Sequence, residues 1–193
     1  LKDFGGMDII ILEGIRRSGK SYTIEILKRN FKNLTYYKDS SMGFVDHNKV
    51  CPDSIAIGRD LAYAQFLKVI NKSESDYLLF DRGYWSTYVY GQCWRNKFTK
   101  VDMEKHVKKV EEIYGDFLNN IKVVFLEVDA VDIELIESMN REKDQWDKSH
   151  NDYREQYSLY SELPLISKVK VFEMKAFQSS SYIVNKFKDI LRS

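Results

Sequence analysis

Residues 7–23 read MDIIILEGIRRSGKSYT, and their order decides the fold. Apart from Asp8, residues 7–12 form a short apolar run rich in isoleucine. That is the pattern of a strand buried on both faces. The run leads into Gly14-Ile15-Arg16-Arg17-Ser18-Gly19-Lys20-Ser21, which fits G-x-x-x-x-G-K-[ST], a phosphate-binding loop. Beyond the loop, Ile24, Ile26, Leu27 and Phe31 recur at helical spacing over residues 22–31. Strand, loop and helix therefore follow one another as the motif requires. Four fixed positions arise by chance in about 1 chain in 100 of this size at average residue usage. The flanking elements make chance a poorer explanation still.

The chemistry of such a loop follows from charge. A nucleoside triphosphate brings concentrated negative charge. Curled backbone N–H groups and a helix N-terminus together offer it a concave positive surface. Here that surface spans Gly14, Ile15, Arg16, Arg17, Ser18, Gly19, Lys20, Ser21 and Tyr22. Gly14 and Gly19 let the backbone turn and approach phosphate closely. Lys20 is expected to reach the β- and γ-phosphates, and the Ser21 hydroxyl to ligate Mg²⁺.

Composition bounds the rest. The chain has 193 residues, 44% hydrophobic and 31% charged, which suits one α/β domain spanning residues 1–193. A formal net charge of +1 gives no global field favouring nucleic acid or membrane. No stretch approaches the roughly 18 apolar residues of a membrane span. Cys51 and Cys93, the only cysteines, have no metal-binding spacing and read as free thiols in a reducing, cytoplasmic setting. No signal peptide is evident, and Met7 is expected as the native start, ahead of the first strand.

The apolar pattern predicts four further strands, over residues 34–37, 77–80, 122–128 and 169–172. Helices are expected over 52–72, 84–94, 99–118, 131–141, 152–163 and 180–191, with Thr99 and Asp102 as a capping box. Residues 38–52 read as an irregular loop, and the polar segment 141–151 as a lid. Strands alternating with helices imply a parallel sheet covered on both faces. Ligands bind at the carboxyl ends of such strands, where Glu13, Asp81 and Asp129 stand.

Asp81 and Arg82 form the second anchor. An acidic residue at such a strand end suits the Mg²⁺ shell or proton acceptance from an attacking hydroxyl. The planar fork of Arg82 suits a phosphate. Read blandly, the pair is a surface ion pair at a helix start. Arg141, in the lid, can offset charge on a transferring group, although a solvated charge run is the common fate of such segments. No N-K-x-D motif and no D-x-x-G after a strand marks a switch-type GTPase. His47, His106 and His150 have no metal spacing.

Together these residues resemble the thymidylate kinase group of nucleoside monophosphate kinases over nearly the whole chain from Met7. Glu13-Gly14 with Arg17-Ser18-Gly19-Lys20-Ser21 is similar to that family's E-G-x-D-R-x-G-K-S loop. Asp81-Arg82 with Ser86 and Tyr90-Gly91-Gln92 is similar to its D-R-Y-x-x-S-x-x-A-Y-Q-G, and Phe125 to Asp129 to its Y-L-D-V-D strand. The resemblance implies a three-layer fold with a five-stranded parallel sheet in the order 2-3-1-4-5. It implies ATP with Mg²⁺, phosphate contacts from Lys20 and Arg17, an acceptor monophosphate on Arg82 and Asp81 near the metal. Tyr84, Gln65 and Gln92 are expected to read the acceptor's sugar or base. The sequence departs from the family at Arg16, where the family has an aspartate, at Gly83, where it has a tyrosine, and in lacking E-P-G-G after the second strand. Arg16 is expected to meet an extra acceptor phosphate.

The expected activity is transfer from ATP to a dTMP-like monophosphate. The deoxynucleoside kinases share the fold, and their E-R-S and F-x-x-Q motifs resemble Asp81-Arg82-Gly83 with Ser86 and Tyr63 to Phe66. Transfer to a nucleoside, transfer to another acceptor such as a polynucleotide 5′ end, and nucleotide binding without turnover stay open. A homodimer is a further expectation, since similar kinases pair through helices. The aromatic stretch from Tyr88 to Phe98 fits either such a surface or the core.

Overall fold

The computed structural model describes residues 8–37, 60, 76–93, 98–140 and 153–193. The isoleucine run becomes β1 (Asp8–Glu13), followed by β2 (Leu34–Tyr37), β3 (Tyr77–Asp81), β4 (Ile121–Glu127) and β5 (Lys170–Lys175). All pair in parallel, in the order β2-β3-β1-β4-β5, as the resemblance implied. The described helices are α1 (Lys20–Asn30), α2 (Tyr84–Cys93), α3 (Lys100–Tyr114), α4 (Ala130–Asn140), α5 (Tyr153–Ile166) and α6 (Ser180–Arg192).

Successive side chains of a strand point to opposite faces, and β1 feeds two cores. Ile10 and Leu12 pack with Leu79, Val124 and Met174 under α1 and α6. Ile9 and Ile11 pack with Leu78, Phe80 and Val123 under α2, α3 and α5. This is why the run is continuously apolar. Asp8, its one polar residue, pairs at 3.1 Å with the buried Lys122 of β4. That pair lies at the amino ends of the strands, away from the loop.

Local differences have local causes. The predicted helix over 99–118 ends at Tyr114, because Gly115 (φ 55) turns the chain into a short 3₁₀ segment, Gly115–Asn120. Its start is as expected: the Thr99 side chain accepts from the Asp102 amide and the Asp102 carboxylate accepts from the Thr99 amide. The helix expected to stop at 163 runs through Pro164 to Ile166. A proline near a helix end sacrifices one hydrogen bond without closing the last turn. Tyr88 is fully buried and Phe98 packs on the same core, so these two aromatics of the 88–98 stretch serve the interior. Of the helix expected over 52–72, only Asp60 lies among the described residues; it is helical and pairs with His106 at 2.9 Å. No helix among the described residues is long and apolar enough to cross a membrane.

Candidate active site

The chain leaves the sheet at Gly14 and re-enters regular structure at Lys20. Gly14 (φ 145) and Gly19 (φ 82) adopt backbone conformations that side chains disfavour. Arg17, between them, is held at φ 63. A left-handed non-glycine residue costs about 1–3 kcal/mol and persists where the surroundings dictate it. Lys20 is buried, and its Nζ donates to the Gly14 carbonyl at 2.8 Å, to the Ile15 carbonyl and to Ser18 Oγ at 3.2 Å. Burial draws the pKa of this ammonium well down; Arg82 and Arg16 act the same way, and Asp81 and Glu13 oppose them. A cation in that state gains from any anion that enters the loop. Ser21 and Tyr22 are exposed on the first turn of α1.

Arg82 meets this loop from β3. It is also left-handed, at φ 71. Its Nη1 donates to the Gly14 carbonyl at 3.2 Å, Ser86 Oγ at 3.1 Å, the Tyr90 hydroxyl at 2.6 Å and the Tyr160 hydroxyl at 3.4 Å. Among the described residues every hydrogen bond of this guanidinium uses Nη1. The Nε–Nη2 edge is left for a bidentate oxyanion. Burial works against its charge, but Tyr90, Tyr160, Glu13 and Asp81 outweigh that and hold it firmly protonated. Lys20 and Arg82 thus converge on one acceptor, the Gly14 carbonyl oxygen.

Asp81 completes the cleft. Its Oδ2 accepts from the Tyr36 hydroxyl at 3.4 Å, while Oδ1 is buried without a partner. An orphaned carboxylate oxygen suits a ligand or a cation. The open volume in front is about 360 Å³, lined by Arg16, Arg17, Lys20, Ser21, Asp81 and Arg82 among others. Among the described residues no three Asp, Glu, His or Cys side chains gather to hold a metal by themselves. A donor set of one carboxylate and one hydroxyl fits Mg²⁺, which takes its remaining ligands from phosphate and water.

Behind Arg82 stands Glu13, which is 0% exposed. Its Oε1 accepts from the Gly83 amide at 2.7 Å and the Ser86 amide at 3.2 Å, and its Oε2 from Ser86 Oγ and the Tyr160 hydroxyl. Burial pushes its carboxyl up to about 7, against the lowering pull of Ser86, Arg82 and Gly83. The folded protein therefore keeps this proton up to about pH 7, whereas the unfolded chain loses it near 4.5. Stability from this group is full below the unfolded value and declines as pH rises through the interval. The effect is on the order of 3 kcal/mol. Denaturant unfolding at pH 5 and pH 8 should show wild type gaining that much more than Glu13→Gln on acidification.

The structure brings together Gly14 to Tyr22, Asp81 and Arg82. Tyr84 does not join them: it is 1% exposed, with its hydroxyl on Glu111 of α3. Gln92 is half-buried and donates to the Tyr88 carbonyl of its own helix at 3.3 Å. Gln65 and Arg141 lie outside the described residues. Sequence reasoning gave no role to Ser86 or Tyr90, although Arg82, Ser86 and Tyr90 recur every four residues, the spacing of one helix face. Phe177 carried no local signal, and Tyr160 only its place with Tyr153 and Tyr157 on one helix face. Phe177 is left-handed (φ 55), 51% exposed and set beside Gly19, whose Cβ would stand 3.7 Å from its ring.

Gly83 is required for a packing reason. A Cβ there would lie 2.8 Å from Ile11 Cγ2, in the β1 core. Gly83→Ala should cost about 1–3 kcal/mol through overpacking, read as a lower Tm.

No family model matches the chain, and no curated protein matches its sequence. Solved structures do match its fold. The YorR protein from Bacillus subtilis, in complex with phosphorylated GDP, aligns with a TM-score of 0.62 at 20% identity, covering 95% of each chain. Thymidylate kinase from Candida albicans aligns with a TM-score of 0.58 at 13% identity, covering 97% of this chain and 92% of its own. With the sheet order and the loop geometry, these alignments identify the chain as having a thymidylate kinase-like P-loop kinase fold.

Proposed function

We propose that the protein is a nucleotide kinase that transfers the γ-phosphoryl group of ATP to the phosphate of a nucleoside monophosphate. One observation carries this most strongly: Lys20 of the loop and Arg82 of the neighbouring strand end meet on the Gly14 carbonyl, with the Nε–Nη2 edge of Arg82 uncommitted. Two cations fixed this close repel each other until anions arrive. That is a preorganised site for two phosphate groups.

The loop amides and Lys20 hold the donor's β- and γ-phosphates, and Arg17 stands beside them. Phe177 offers an exposed ring beside the loop for the donor's base. Arg82 grips the acceptor phosphate, one of whose oxygens attacks the γ-phosphorus in line. The new O–P bond forms as the bond to the β,γ-bridging oxygen breaks, and ADP leaves. The acceptor oxygen is already ionised near neutral pH, so the step needs no general base. Mg²⁺, held by Ser21 and Asp81, would neutralise charge on the donor phosphates. Arg141, which lies outside the described residues, would add a further cation toward the transferring group.

The motif resemblance favours a dTMP-like acceptor. Both structural neighbours are relevant, one by its phosphorylated GDP and the other, a thymidylate kinase, by its described broad substrate specificity. A second reading draws on the unpartnered Oδ1 of Asp81, which can serve as base toward a nucleoside 5′-hydroxyl. A panel of monophosphates, nucleosides and a 5′-hydroxyl oligonucleotide, incubated with ATP and Mg²⁺, distinguishes them. Diphosphate formed from a monophosphate is expected. Product from nucleosides alone would replace the proposal with the second reading.

A further inference from the structure

Glu13 is a buried acid that phosphoryl transfer itself does not use. It is the last residue of β1, yet its carboxylate serves the start of α2 by accepting from the Gly83 and Ser86 amides at 2.7 and 3.2 Å. Those amides lie at the start of the helix, where N–H groups lack full intrahelical pairing, and the Ser86 amide is shared with the Gly83 carbonyl at 3.1 Å. Arg82, left-handed, precedes this turn and is fixed by it. Ser86 Oγ joins the two: it donates to Glu13 Oε2 at 2.5 Å and accepts from Arg82 Nη1 at 3.1 Å. The Tyr160 hydroxyl, from α5, closes the group at 2.8 Å from Ser86 Oγ. Glu13 therefore holds both the backbone and the guanidinium of the arginine facing the cleft.

We infer that Glu13 is the positioning residue for Arg82, and that an acceptor phosphate arriving on Arg82 drives a proton from solvent onto the Glu13 carboxylate. The inference rests on the proposal that Arg82 takes the acceptor phosphate. The ionisable groups around Glu13 among the described residues are Arg82, at the end of β3, Lys20 of α1, Tyr90 of α2 and Tyr160 of α5. The Ser86 hydroxyl, Arg82 and the Gly83 and Ser86 amides favour the charged carboxylate, and Arg82 is the one cation among them. A phosphate dianion on the remaining edge of Arg82 offsets that support and adds negative charge beside a buried carboxyl. Both changes favour the protonated acid. The balance is near its midpoint already, because burial pushes this carboxyl up to about 7. Buffer gives up the proton and Glu13 gains it; no bond to the substrate is involved.

Two measurements separate this inference from the activity it builds on. In ligand-free protein the Gly83 and Ser86 amide resonances should titrate with a midpoint of about 7 in wild type, and not in Glu13→Gln. Flat resonances in wild type would overturn the inference whatever the protein phosphorylates. With the accepted monophosphate, calorimetric titration at pH 7.5 in buffers of different ionisation enthalpy should show proton uptake that falls in Glu13→Gln. An equal proton count in both would overturn the coupling. The Michaelis constant for the acceptor should rise about tenfold in Glu13→Gln while that for ATP stays within about twofold. Equal changes in both would reduce Glu13 to a structural role. If that variant fails to fold, Ser86→Ala cuts the link to Arg82 while leaving the Gly83 contact, and the same split is expected. If wild type phosphorylates no monophosphate, the functional proposal and the coupling fail together, while the amide titration still decides the positioning role.

Discussion

Lys20→Ala is expected to slow phosphoryl transfer by about 10²–10³-fold at saturating ATP while leaving the fold in place. The side chain is buried against the Gly14 and Ile15 carbonyls, with its ammonium drawn toward neutrality by burial and by the arginines around it. Charge developing on the transferred group is what such a cation answers best, so the loss appears in the chemical step more than in affinity. The fold does not depend on it, because α1 is anchored through Ile24, Ile26 and Leu27 in the core. Lys20 itself lines the open cleft, so water can enter where its side chain stood. Single-turnover rates with a thermal melt as control check the expectation. An unchanged rate in a folded variant would remove Lys20 from the mechanism.

Arg82→Lys should be nearly as damaging as Arg82→Ala, with kcat/KM for the acceptor lowered about 10³-fold and the Michaelis constant for ATP changed far less. The guanidinium does two things at once. Nη1 engages Gly14, Ser86, Tyr90 and Tyr160, and the residue lines the cleft with its opposite edge left for an oxyanion. A lysine ammonium is a point charge and cannot keep that network while presenting a flat pair of donors. The left-handed backbone at φ 71 further specifies where the side chain starts. Kinetics with each substrate varied separately test this. Rescue by lysine would show that Arg82 supplies only charge.

The parts of this architecture visible in the sequence are those written in short-range patterns. The isoleucine run and the glycine and lysine spacing are local, and the alternation is built from strand and helix patterns that are each local as well. They led to the sheet and to the loop beside Asp81 and Arg82. What they missed is long-range. Tyr160 touches Glu13 across 147 positions of sequence, and nothing in either neighbourhood announces the other. Tyr84 is expected from the sequence to read the acceptor's sugar or base, next to the position where the family has its tyrosine. The close approach of Gly83 to Ile11 leaves no room for a side chain at that earlier position, and Tyr84, one step further along the helix, turns into α3. Phe177 reaches the loop because β5 and β1 lie on either side of β4, which brings its turn beside Gly19.

The central claim is that one cleft holds a donor triphosphate on Lys20 and an acceptor phosphate on Arg82 at the same time. An analogue in which adenosine and thymidine are joined 5′ to 5′ through five phosphates spans both positions. Calorimetry should find it bound at least about 100-fold more tightly than ATP by wild type, with the advantage lost in Arg82→Ala. Binding no tighter than ATP, or an advantage that survives in Arg82→Ala, would contradict the account.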